Sequence, residues 1–253
     1  MASGSRSLRR GERRFASVGP DAGAPWRVGV GPALCALAYA FGAAHGPWPI
    51  VTTVALACIA YRAGTATRWS IACFAASGAI LVALASGWIP GFAVDRVWGS
   101  SLDPAKTLAA VCAATMFPSV WRWNSRCTLI ALATLLAVPA LGVAIGYLHL
   151  APARWPFIGL FAMTNLFTAM VEEWFVRGWI QRPLQGFVGA APALLISAAL
   201  FGLAHFAGGA QLMFLATLAG LGYGGVYLAS SSIWAAVALH LALNLIRTGL
   251  FSG

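Results

Sequence analysis

Apolar residues fall in long, nearly unbroken runs at approximately residues 28–44, 48–61, 70–88, 107–120, 127–148, 156–181, 190–207, 210–229 and 231–250. The runs show neither the alternation of a half-buried strand nor the single stripe of a surface helix; a helix apolar on every face belongs in lipid or in a large core. A helix needs about 20 apolar residues to cross a bilayer. The second and fourth runs are short for that, so the pattern predicts an all-α bundle of about eight or nine transmembrane helices, with any active site inside it. Tryptophans such as Trp48, Trp69, Trp88, Trp121 and Trp155 stand at run ends, as in an interfacial aromatic belt. Between the sixth and seventh runs, Gln181 to Ala190 holds Pro183 and Gly186. That stretch predicts the turn of a helical hairpin.

Composition narrows the class. The chain is 60% hydrophobic and 9% charged, with a mean hydropathy of +0.81, whereas soluble domains carry roughly 25% charged residues. A soluble globular enzyme, a disulfide-stapled secreted module and a disordered tail are excluded. The net charge of +10 does not point to nucleic acid. Arg6, Arg9, Arg10, Arg13, Arg14 and Arg27 all precede the first run, which is the signal for a cytoplasmic N-terminus. The connections Arg62 to Arg68 and Arg122 to Arg126 are basic and acid-free and fall on the same side. The connection 89–106 mixes both signs and falls outside. Five scattered cysteines without a CxxC pair read as small packing residues rather than a disulfide framework. One lysine against fifteen arginines, with abundant alanine and glycine, points to a GC-rich bacterial genome and hence to a bacterial inner membrane.

Polar residues inside the runs carry the chemistry. Glu172 and Glu173 are adjacent within the sixth run. An ionisable group at that depth costs about 2.5–3.5 kcal/mol on insertion scales and marks a functional site by default. Glu173 and Arg177 are four apart, on one helix face, and can form an ion pair. Glu172 projects about 100° away, with no local cation. His205 closes another run, with Phe201 four residues before it, and His240 and Asn244 are four apart in the last. Folding the hairpin about residue 187 brings Glu172 and His205 to within about 5 Å of the same depth. A carboxylate and an imidazole there can deprotonate a water, while a histidine and an amide from another helix donate to the oxyanion that forms.

These residues, Glu172-Glu173-x-x-x-Arg177-Gly178, Phe201-x-x-x-His205 and His240-x-x-x-Asn244, resemble the CPBP intramembrane proteases. That family takes in the CAAX-processing and bacteriocin-processing (Abi) proteases, related to the type II CAAX prenyl endopeptidase. The resemblance implies an intramembrane glutamic endopeptidase in which Glu172 and His205 activate water. His240 and Asn244 would form the oxyanion hole, Arg177 would hold Glu173, and no cofactor would be needed. It implies a cytoplasmic tail over 1–27, variable transmembrane helices over 28–155 and a catalytic core over 156–253. The substrate would be a membrane-embedded or membrane-anchored peptide, without nucleic acid as a partner. Three other readings use the same residues. One is a catalytic zinc held by Glu172, His205 and His240, although no HExxH is present. The others are a proton-coupled transporter and a non-catalytic immunity protein.

Overall fold

The computed structural model describes residues 119–151 and 155–252, together with positions 79, 83, 95–97, 100–102, 106–107, 109–110 and 114. The expected cytoplasmic tail, the first four apolar runs and four of the five cysteines lie largely or wholly outside these residues. The chain divides into two compact units, Met1–Asp95 with Leu102–Pro118, and Arg96–Ser101 with Ser119–Gly253. The second unit carries every motif residue.

That unit is helical. Helix α1 (Ser125–Ala144) starts where the Asn124 side chain accepts from the Cys127 amide, a cap that satisfies one orphan donor. Helix α2 spans Trp155–Glu173, followed by a π-helical segment, Trp174–Gln181, and α3 (Arg182–Val188). After Gly189 come α4 (Ala190–Leu203), a short 3₁₀ turn (Phe206–Gly208), α5 (Gly209–Ser230) and α6 (Ile233–Leu250). Ser232 caps α6 by accepting from the Ala235 amide.

Among the described residues, three helical stretches are long and apolar enough to cross a membrane: Ser125–Ala144, Phe206–Ser230 and Ile233–Leu250. Their outward faces are greasy as well. On α1, Leu129, Leu132 and Leu136 are 69%, 53% and 70% exposed, a stripe that water would oppose and lipid accepts. Trp121 and Trp123 stack at the foot of α1, ring centroids 5.8 Å apart. The expected total of eight or nine spans concerns mostly residues outside those described.

Because lipid gives no hydrophobic drive between helices, close approach of small residues does the packing. At Gly202, an added Cβ would run into the Thr217 hydroxyl and lie 2.7 Å from the Met213 carbonyl oxygen. This glycine lets α4 lie directly on α5, and nothing larger fits there.

The structure corrects two sequence expectations. The expected continuous helix over 156–181 is α-helical only to Glu173. Beyond it the backbone widens, so that the Arg182 amide donates to the Arg177 carbonyl five residues back; such segments cluster at functional sites. The turn expected over Gln181 to Ala190 is mostly helix. Pro183 sits in the first turn of α3, where its missing N–H costs nothing, and the chain reverses at Gly189 (φ +88°), not at 187. The fold is all-α in character, with two short strand pairs beside the helices. His149–Leu150 pairs antiparallel with Phe251–Ser252, and Asp95–Val97 pairs with Ser100–Leu102.

Candidate active site

Two inter-helical ties define the site, and both join α2 to α6. Near the end of α2, His240 Nδ1 lies 2.9 Å from Glu173 Oε1. Lower on α2, Asn244 Nδ2 donates to Asn165 Oδ1 at 3.0 Å. A later residue of α2 thus meets an earlier residue of α6, so the helices run antiparallel. Glu172 lies on α2 between the two ties.

Glu173 and Arg177 are both fully buried and form the expected ion pair, Arg177 Nε donating to Glu173 Oε2 at 2.7 Å. The network then runs along the π-helical segment. Arg177 Nη1 donates to Gln181 Oε1 (2.9 Å), and Gln181 Nε2 donates to the Gly224 carbonyl (3.2 Å). Burying two charges is tolerable only when the remaining polar atoms are satisfied. Gln181 does that here, although Arg177 Nη2 has no partner among the described residues.

Gly224 makes room for this network. A Cβ there would lie 2.5 Å from Leu194 Cδ1, 2.7 Å from Gln181 Oε1 and 2.9 Å from Arg177 Nη1. Gly224→Ala is therefore expected to destabilise the protein by about 1–3 kcal/mol, the cost of overpacking. Thermal unfolding checks this against Gly159→Ala, where an added Cβ meets nothing within 4 Å.

The Glu173 carboxylate, paired with a cation, only accepts hydrogen bonds. The proton of the shared bond therefore sits on His240 Nδ1, and the ring turns Nε2 towards Glu172 Oε2, 3.8 Å away. His240 is sandwiched into place: it stacks on Tyr223 with centroids 4.6 Å apart and meets Phe201 edge-on at 5.8 Å. The Glu172 side chain is 33% exposed where Glu173 is 0%. The two adjacent glutamates thus occupy different environments, as the 100° between them predicts.

His205 lies two residues beyond the end of α4, and its Nδ1 lies 2.8 Å from the Phe201 carbonyl oxygen. A carbonyl only accepts, so Nδ1 carries a proton, and in the neutral form of this ring the lone pair is on Nε2. That is the form of histidine able to take a proton from water.

Glu172, His205, His240 and Asn244 all line one cavity of about 260 Å³. Phe201 and Tyr223 contribute aromatic wall, Leu212, Leu215 and Leu243 apolar wall, and Arg247 also borders it. Glu173 and Arg177 do not line it; they stand behind His240. Asn165 and Tyr223 are among the lining residues that the sequence reading did not single out. Asn165 is seven residues before Glu172, two helical turns and thus the same face, so a polar residue in that register was the available signal. Tyr223 gave none, since a tyrosine in an apolar run reads as core.

Among the described residues, no three of His, Cys, Asp and Glu form a group arranged to hold a metal ion. His205 and His240 each have Nδ1 engaged, by a backbone carbonyl and by Glu173, which leaves Nε2 of both rings open to the cavity, whether to water or to an ion.

Residues 153–246 match the family described as type II CAAX prenyl endopeptidase Rce1-like. The matched stretch contains Asn165 and all eight named residues of the three motifs, and the family is one of endopeptidases of the CAAX type. No curated protein and no solved structure matches the chain.

Proposed function

We propose, starting from the family match of residues 153–246, that the protein is an intramembrane endopeptidase that cleaves a membrane-embedded or membrane-anchored peptide. Glu172 and His205 activate the attacking water, and Asn244 with His240 stabilises the oxyanion. The observation that carries this reading is the convergence of an available carboxylate, two imidazoles and the Asn244 carboxamide on one cavity. Glu172, the more exposed glutamate, accepts the proton of a water in the cavity as the oxygen attacks the scissile carbonyl. His205, with its Nε2 lone pair, holds the second hydrogen of that water. The negative charge that develops on the carbonyl oxygen meets the Asn244 N–H. His240 donates to the same oxygen from Nε2 only as the imidazolium, with its charge set between Glu172 and Glu173. Proton return from Glu172 to the departing amine completes hydrolysis. Leu212, Leu215, Leu243 and Phe201 make part of the wall apolar, which strengthens the dipoles that face them.

The same reading places the protein in a bacterial inner membrane with its N-terminus in the cytoplasm, supported by the six arginines before the first apolar run.

Purified protein in detergent is expected to cleave a lipidated reporter peptide and to retain that activity after exhaustive chelation. Loss of cleavage with EDTA, restored by zinc alone, overturns the water activation assigned to Glu172 and His205. A metal ion would then lower the pKa of the water itself. Absence of cleavage from any membrane-anchored peptide overturns the endopeptidase reading.

A further inference from the structure

We propose that Asn165 is a positioning residue for Asn244, and that the two carboxamides work as one preorganised donor unit. The inference rests on the oxyanion role given to Asn244 above and extends it to a residue outside the three motifs.

The reason lies in the torsional freedom of asparagine. The last side-chain torsion of Asn is a soft, roughly two-fold rotation. Left alone, the Asn244 carboxamide presents either its N–H₂ or its carbonyl oxygen to the cavity, and the second orientation repels an oxyanion. Asn165 restricts that freedom. Its Oδ1 accepts from Asn244 Nδ2 at 3.0 Å, so Asn244 cannot turn its carbonyl to this partner unless the Asn165 carboxamide turns with it, and two independent rotations become one concerted one. With one N–H committed to Asn165, the plane of the amide is set and the second N–H has a defined direction. Both side chains line the cavity, so this happens where the charge develops.

Asn165 is held in turn by its helix. It sits two turns before Glu172 on the same face, so the group that anchors the oxyanion donor and the group that takes the water's proton share one rigid element. The Glu173–His240 bond ties the same two helices at a second point and limits their sliding. Donors fixed before the reaction stabilise developing charge without reorganising.

The test is a double-mutant cycle on cleavage of a lipidated reporter, with kcat and KM separated and normalised to folded protein by thermal unfolding. Asn244→Ala is expected to lower kcat by about 10²–10³-fold. Asn165→Leu, an isostere without the acceptor, is expected to lower kcat by about 10- to 100-fold, as misplacement of a catalytic group does, with KM little changed. The double variant is expected to match Asn244→Ala alone, because a residue that acts through another has nothing left to position. Asn165→Asp keeps the acceptor and is expected to retain more activity than Asn165→Leu. If the leucine variant does not fold, Asn165→Ala supplies the same contrast. Normal turnover in Asn165→Leu overturns the proposal, and so do multiplicative losses in the double variant or equal losses in the Asp and Leu variants. If Asn244→Ala itself turns over normally, the oxyanion role fails first and the positioning role falls with it. A loss in Asn244→Ala with none in Asn165→Leu overturns the positioning role alone.

Discussion

Glu172→Gln lowers turnover by about 10²–10⁴-fold, the typical contribution of a general base, and leaves the amount of folded protein unchanged. Glutamine keeps the length of the side chain and its capacity to accept a hydrogen bond, but it cannot take a proton from water. The folded state depends little on the charge. Among the described residues, the ion-pair contact Glu172 makes is a long one, to His240 Nε2 at 3.8 Å, and its side chain is 33% exposed in the cavity. The measurement is cleavage of a lipidated reporter per unit of folded protein, with the unfolding temperature recorded beside it. Normal turnover in this variant would falsify the base assignment. If Glu173→Gln were instead folded and inactive, the two glutamates would exchange roles.

Glu173→Gln acts on stability. The carboxylate is fully buried and accepts from both Arg177 and His240. Neutralising it leaves the Arg177 guanidinium buried without a counter-charge. Breaking a buried pair in this way costs about 3–5 kcal/mol, a large part of the 5–15 kcal/mol that separates a typical domain from its unfolded state. The expected result is a sharp fall in folded protein and in unfolding temperature. Removing both charges, as in Glu173→Gln with Arg177→Met, is expected to recover part of the loss, since no lone charge then remains. Turnover of whatever Glu173→Gln folds also falls, because His240 loses the acceptor that sets its ring and tautomer. A Glu173→Gln protein that unfolds at the wild-type temperature rules out a structural role for the pair. The contrast between the neighbours is the informative part: one residue tests chemistry and the other tests folding.

The sequence by itself determined the solvent, because 9% charge cannot clothe a water-exposed surface. The stripe of exposed leucines on α1 is the tertiary expression of that composition. It also determined the Glu173–Arg177 pair and the divergence of Glu172. Both follow from helical periodicity within a few residues and need no knowledge of neighbours. The polar motif residues were legible for a related reason, since a polar group within an apolar run stands out one residue at a time, whereas Phe201 and Gly178 were legible only by their spacing from such residues.

What only the tertiary structure decided are relations between distant helices. His240 meets Glu173 across 67 residues and Asn244 meets Asn165 across 79, and periodicity encodes neither crossing. The same holds for Gly224, whose missing side chain matters because Arg177 and Gln181 arrive from another element. The π-helical widening after Glu173 and the helical stretch through Pro183 went unread because local propensity is weak beside packing. Trp174, Trp179 and Gln181 are all buried there, and it is their burial that holds the backbone in place. Periodicity along the chain says which face a side chain takes, and the crossing of helices says what it meets.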